Sequence, residues 1–499
     1  MNRVLLIASL VLPFPAIAQI PDAINLAVPW ITTGPNTLRL TGGFSGDAGS
    51  FLRLTDSIEN LMGRGETSYV SAEVGMRLRR IDLGIHGHAA ARRRVELGID
   101  VYGQSFRYNQ LVESSILAFN RNIGVFDSLN ELYPDAPINY VRSSYGAKVF
   151  AEIPLAPGRS RVSFVYDYDV SAYRPITNGT AAWFGQLNFR GPEASGSLTG
   201  IQTGRLTASY LYNTVDNPVQ PKQGAMLRVA GGLAGLGGNV NFFEADIDAR
   251  YYHRGFARRH VVALHVRGRL IAGYDGKAAP PVDRYYMGGE DELRGFDSWS
   301  VGPIGFVPGV KSVYQLNSDG SVRTQTIVVN NVRVTVPLTI AVPYYGYTSI
   351  CGDTKVVGNA EYRIPLFGPV TLVLFDDVGI NRTTFVHQLR LNNEALIASF
   401  PTFGGSASQA IIARGLQDPR MSLGAELNVL VPKVRIPVRF YWAWNPLAYR
   451  DYLPLPPLAL DPNMFPDSAT LLEALDQTAR APYYREPRSR LQFSIGRTF

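Results

Sequence analysis

The sequence predicts an all-β fold: a transmembrane antiparallel β-barrel of about sixteen strands. Three observations carry that expectation. Apolar and polar residues alternate over long runs. The polar side of each run is charged with both signs. No segment holds the ~20 consecutive apolar residues of a membrane-spanning helix. A soluble sandwich also alternates, but its strands run to about 4–8 residues with turns every ~8–12. Here many runs are longer. Lipid suits the apolar face, and a wet or plugged interior suits the charged one. Closure follows, because an open sheet edge cannot satisfy its backbone groups in lipid.

The chain opens on Arg3, an apolar run from Val4 to Ala16, and the small-x-small site Ala16-Ile17-Ala18. That is the form of a secretory signal over 1–18, with the mature chain starting at Gln19. The alternative is a short membrane anchor, against which Pro13 and Pro15 break the run. A short segment, 19–35, precedes the barrel at 36–499. Strands are expected at 36–45, 49–59, 66–77, 78–86, 93–106, 145–153, 160–173, 203–212, 225–232, 239–253, 260–273, 355–364, 370–380, 420–429, 434–445 and 490–499. The alternation is plain in Val262, Leu264 and Val266 against Ala263, His265 and Arg267. Short connections, such as 62–65 and 154–158, alternate with long ones, as in barrels whose short turns face the periplasm. The longest loop is 275–353. The last, 446–489, carries a predicted helix over 468–479 with Asp467 as its N-cap.

Composition closes off other classes. The formal charge is +7, but Lys and Arg are scattered through the strands rather than gathered in a patch, so no nucleic-acid partner is expected. The lone Cys351 excludes an intramolecular disulfide and a cysteine-based metal cluster. His86 and His88 are too few ligands for a metal site. No nucleophile elbow or phosphate loop is present, so neither catalytic residues nor cofactors are expected.

The stretch GGEDELRGF, Gly288 to Phe296, lies in the longest loop. Gly288, Gly289 and Gly295 permit tight turns and close backbone approach. Arg294 offers a planar fork of donors and Phe296 an apolar anchor. A loop built this way is expected to fold back and seat Arg294 against a buried carboxylate. Otherwise Arg294 is one more interior charge. The stretch resembles the RGF motif of the BamA/TamA-type outer-membrane assembly and translocation superfamily, the bacterial surface antigen D15-type barrels. ENLMGRGE (59–66) is similar to that family's first periplasmic turn, DNPVQPKQG (216–224) to its D-x-x-x-x-P-x-x-G turn, and FDDVG (375–379) to its F-x-D-x-G strand end. The final LQFSIGRTF, with Leu491, Phe493, Ile495 and Phe499, is similar to the terminal signal by which such barrels are recognised for insertion.

The resemblance implies that the sixth extracellular loop folds into the lumen and that Arg294 meets Glu361 and Asp377. Parity agrees for both, and it turns Asp376 outward. The resemblance further implies a bacterial outer-membrane protein that inserts β-barrel proteins or translocates polypeptides. Its partners would be outer-membrane lipid and unfolded outer-membrane or secreted polypeptides. The family carries periplasmic POTRA domains, for which 19–35 has no room, so a POTRA-bearing or lipoprotein partner is expected to supply them. The alternative is a passive channel or structural barrel. In the insertase, an incoming β-segment would pair with the edge of the strand at 36–45, where Gly42, Gly43, Gly46 and Gly49 weaken the packing.

Overall fold

Alternating runs become strands because only an extended chain, with its period of two, sorts such a pattern onto two faces. The computed structural model describes residues 28–33, 36–45, 49–88, 95–109, 138–156, 158–191, 196–217, 220–431, 436–481 and 483–495. The signal segment, Gly46, Gly496 and Phe499 lie outside them. One antiparallel sheet of seventeen strands dominates. Its first part is β1 (Val28–Thr33), β2 (Asn36–Ser45), β3 (Gly49–Glu59), β4 (Thr67–Gly75), β5 (Leu78–His88) and β6 (Glu96–Asn109). It continues through β7 (Asn139–Ala156), β8 (Ser160–Pro175), β9 (Ile201–Asn213), β10 (Gly224–Gly238), β11 (Phe242–Arg254) and β12 (Val261–Gly273). The 275–353 loop contributes β13 (Ile304–Tyr314), β14 (Thr324–Val329), β15 (Val332–Pro337) and β16 (Thr339–Ser349), none of which joins the sheet. The ladder resumes with β17 (Thr354–Pro365) and β18 (Val370–Arg382), passes the short loop strand β19 (Ile411–Ile412), and runs on through β20 (Arg420–Val431) and β21 (Ile436–Trp444). Two further loop strands, β22 (Arg450–Tyr452) and β23 (Tyr483–Arg485), precede the last sheet strand, β24 (Ser489–Ile495).

Three features depart from expectation. β1 lies within 19–35, where no strand is predicted, and pairs Val28 with Leu40 through Thr33 with Asn36. The edge of β2 is therefore free only over Thr41–Ser45 among the described residues. β1 is short, carries Pro29 and is bulged between Pro29 and Ile31, all devices that blunt a sheet edge. The second departure is the 275–353 loop. Its first part packs onto the sheet, as do Val307, Ile350 and Cys351, while β13 to β16 build a long hairpin whose tip is exposed. Third, loop 174–201 contains a helix, Asn178–Gln186, burying Trp183 and Phe184 among Tyr108, Tyr140 and Tyr173. It is short and holds two glycines, so no helical period marks it in the sequence. The helix of the last loop is Ser468–Thr478, and the Asp467 carboxylate accepts the Thr470 amide at 2.8 Å.

The two faces of the sheet differ in chemistry. Leu83, Val101, Val149, Leu264, Val266 and Trp442 stand exposed on one. The other carries cross-strand pairs, including Arg142–Asp169 at 3.0 Å, Arg205–Glu244 at 3.3 Å and Arg267–Asp246 at 3.0 Å. His86 belongs here too, 2.9 Å from Asp100.

Candidate functional site

The segment from Met287 to Val301 lies on the charged face of β17, β18, β20 and β21. Met287 and Val301 exchange backbone hydrogen bonds at 3.2 and 2.8 Å, which closes the segment into a loop. Gly288, Gly289 and Gly295 take φ of 113°, 100° and 90°, a region that L side chains rarely occupy. The turn brings the Leu293 amide to the Gly289 carbonyl at 2.9 Å and aims Arg294 at the sheet. Phe296 is fully buried with Met287, Leu293, Val301 and Val357.

Arg294 is wholly buried and meets three carboxylates. Its Nε and Nη2 donate to the two oxygens of Asp377 at 2.8 and 2.7 Å, a bidentate fork. Nη1 donates to Glu361 at 2.8 Å and to Glu426 at 3.3 Å. The backbone amide of Arg294 adds a bond to Asp377 at 3.1 Å. The guanidinium carbon lies 3.7 Å from the centroid of the Phe375 ring. Two further guanidinium groups balance the charge: Arg363 lies 2.7 Å from Glu361, and Arg439 lies 3.4 Å from Glu426. A buried charge is tolerable only when paired and hydrogen-bonded, and each carboxylate here is.

The pattern F-x-D-x-G gains a physical account. Phe375, Asp377 and Gly379 share a face because successive side chains of a strand alternate. Phe375 supports the guanidinium and Asp377 binds it. A Cβ on Gly379 would come within 2.4 Å of Leu293 Cδ1, so only glycine leaves room for the loop.

Sequence reasoning missed several partners. Glu426 and Arg439 complete the cluster. Asn359 donates to Asp377 at 2.8 Å and to the Glu292 carbonyl at 2.9 Å. Asn445 donates to the Gly295 carbonyl at 2.8 Å, and Arg490 pairs with Asp297. Parity within β20 could have turned Glu426 inward, but nothing local says which interior charge meets the loop. Among the terminal residues, Leu491 is exposed on the apolar face and Phe493 packs against Phe440, ring centroids 4.9 Å apart. Those two and Ile495 lie on β24, where Phe493 pairs with Phe440 and Ile495 with Val438 in the ladder.

Asp376, turned outward at the middle of β18 between exposed Leu374 and Val378, has an Oδ1 atom without a hydrogen-bond partner. A carboxylate oxygen left without a partner on the apolar face of the sheet costs stability. Asp376→Leu is therefore expected to stabilise the folded protein by roughly 1 kcal/mol, read from urea unfolding. A destabilised variant would show that Asp376 is not an unpaired group on that face.

The description "Omp85 superfamily domain" matches residues 60–499. The chain is 26% identical over 275 residues to outer membrane protein assembly factor BamA of Neorickettsia risticii, a match covering 54% of this chain and 31% of that protein. It is 29% identical over 99 residues to the sorting and assembly machinery component 50 homolog of Xenopus tropicalis, 20% of this chain and 21% of that one. These matches thus span about a third or less of the relatives' length. The crystal structure of BamA from Haemophilus ducreyi lacking POTRA domains 1-3 superposes with a TM-score of 0.56 at 15% identity, covering 93% of this chain and 70% of that one. At that identity the likeness is one of fold.

Proposed function

The chain belongs to the Omp85 superfamily, and from that we propose that its sheet rolls into a bacterial outer-membrane β-barrel that assists the insertion of β-barrel proteins or the translocation of polypeptides. In this reading the charged face is the lumen and the apolar face meets lipid. The observation that carries it is the docked loop. Asp297 pairs with Arg490 on β24, while Trp299, two residues on, stacks against Tyr108 on β6 with ring centroids 4.5 Å apart. Those strands are sixth and seventeenth in the ladder, and in a flat sheet they would lie ~50 Å apart at ~4.8 Å per strand. Two residues span only about 7 Å. This short span supports a sheet curled around the loop, with the RGF segment inside the lumen.

The rolled sheet keeps a seam. Among the described residues no ladder joins β24 to β1 or β2. An incoming β-segment would add to the seam by backbone pairing, first on the free half of β2 and then in place of β1. The substrates would be unfolded outer-membrane or secreted polypeptides, and a POTRA-bearing or lipoprotein partner would present them.

A second reading, a passive channel, draws on a cavity of about 530 Å³ lined by Arg142, Lys148, Asp167, Arg205, Glu244 and Asp246. The loop lying across the interior argues against a wide pore. Assisted folding separates the two. The purified protein is reconstituted in liposomes, an unfolded outer-membrane protein is added, and the folded fraction is compared with empty liposomes. Faster folding is expected. Equality with empty liposomes would end the reading of a barrel that acts alone, and single-channel conductance would then decide for the channel.

A further inference from the structure

The short turn between β11 and β12 reads Gly255-Phe256-Ala257-Arg258-Arg259-His260. Two backbone bonds of 2.9 Å close it, from the Gly255 amide to the His260 carbonyl and from the His260 amide to the Ala257 carbonyl. Phe256 is 102% exposed at its tip, with Arg258 and Arg259 exposed beside it. β12 pairs with β17 from Val261 opposite Arg363, so the β17–β18 turn lies at the same end of the sheet. That turn adds Leu366 and Phe367, 48% and 73% exposed. Exposed apolar residues gathered in this way mark a contact surface.

The first turn leans on the apolar face of the sheet. The Phe256 and Tyr362 rings lie 5.9 Å apart, and His260 Nδ1 lies 2.8 Å from the Tyr362 hydroxyl. Tyr362 belongs to the apolar face, because its neighbours Glu361 and Arg363 pair with each other on the charged one. The same face continues toward mid-sheet through exposed Leu264 and Val266. The rings therefore stand at the rim of the apolar surface, the height of the aromatic girdle in a membrane barrel. The charge at this rim has one sign. Neither 251–260 nor 362–370 contains Asp or Glu, while Arg254, Arg258 and Arg259 are exposed. Elsewhere on the sheet, charges of both signs pair across strands.

We propose that these two turns dock phosphate-bearing anionic lipid headgroups in the leaflet that the short turns face. Phe256, Leu366 and Phe367 reach the boundary between headgroups and acyl chains, and the arginines meet the phosphates. A guanidinium fork matches phosphate oxygens in geometry as well as charge. A partner protein beneath the barrel fits less well, since the Phe256 ring lies against the outward-facing Tyr362. The inference rests on the outer-membrane placement and not on insertase activity.

Lipid quenching of a local label tests it. Cys351 is fully buried and burial pushes its thiol up to about 12, so only an introduced cysteine takes the label. Ala257→Cys carries a fluorophore at the turn, and Leu264→Cys carries one on the apolar face as a membrane reference. The folded protein is reconstituted in vesicles of phosphatidylglycerol and phosphatidylcholine in equal amounts, with bromine on the acyl chains of one or the other. At the turn, brominated phosphatidylglycerol is expected to quench more, by a local enrichment of roughly fivefold, the gain of one basic residue near an anionic surface. The reference should be quenched alike by both. Arg258→Gln with Arg259→Gln should bring the ratio at the turn to one, whereas the lysine pair, which keeps the charge, should retain the enrichment. Equal quenching in the unaltered turn would leave an ordinary aromatic girdle and overturn the proposal. So would an enrichment that survives the glutamine pair. A quenched reference with an unquenched turn would overturn it too, and would point to a protein on this surface. An unquenched reference would overturn the membrane placement itself, and the proposal with it.

Discussion

Arg294→Ala is expected to unfasten the loop. Removing the guanidinium strands Asp377, which loses both of its charged bonds, and leaves Glu361 and Glu426 each one partner short. Breaking one side of a buried ion pair costs about 3–5 kcal/mol, because the remaining charge stays desolvated. The loss should appear as a lower urea midpoint in detergent and as new proteolytic cleavage between 275 and 301. Under the proposed function, assisted folding in liposomes falls to the level of empty liposomes. Arg294→Lys keeps the charge but not the planar fork, so it should recover only part of the stability. A double mutant with Asp377→Asn should cost less than the sum of the single changes, since the two groups act as one unit. An Arg294→Ala protein with wild-type stability and an uncleaved loop would mean that the ion cluster does not hold the loop in place.

Gly295→Val is the second large effect, and it acts through the backbone. At φ 90° an L side chain is strained, which costs of order 1–3 kcal/mol. A Cβ at this position would also lie 2.6 Å from Asn445 Oδ1 and 2.7 Å from Ala443 Cβ. Overpacking of that kind adds about 1–3 kcal/mol. Ala443→Gly removes one of the clashes but leaves the dihedral untouched, so the double variant is expected to regain only part of the loss. Thermal midpoints of the three proteins measure this. Full recovery would make the contact the whole effect, and an unchanged midpoint in Gly295→Val itself would contradict the packing of the loop against β21.

Much of this molecule is visible along the chain alone. Strand alternation is a local property, so runs such as Val262 to Arg269 declare both their extended form and which side faces which solvent. The same parity turns Glu361 and Asp377 inward and Asp376 outward. The Asp467 cap is local too, since its carboxylate needs only an amide three residues ahead.

What the chain does not declare depends on which distant residues meet. Glu426 carries no local sign that it meets Arg294, 132 residues away, and nothing local shows that Arg439 donates to the Glu290 carbonyl or Asn359 to the Glu292 carbonyl, 149 and 67 residues away. β1 is absent from the sequence pattern because its place is set by the edge of β2 and not by a period of its own. The hairpin of β14 and β15 reads as more of the same loop until its register and the Asn330–Asn331 turn show that it stands apart. Alternation alone therefore determined an antiparallel sheet with one charged face. Only the tertiary structure decided which charges close on the loop, because pairing energies act through space between strands whose separation in sequence is arbitrary.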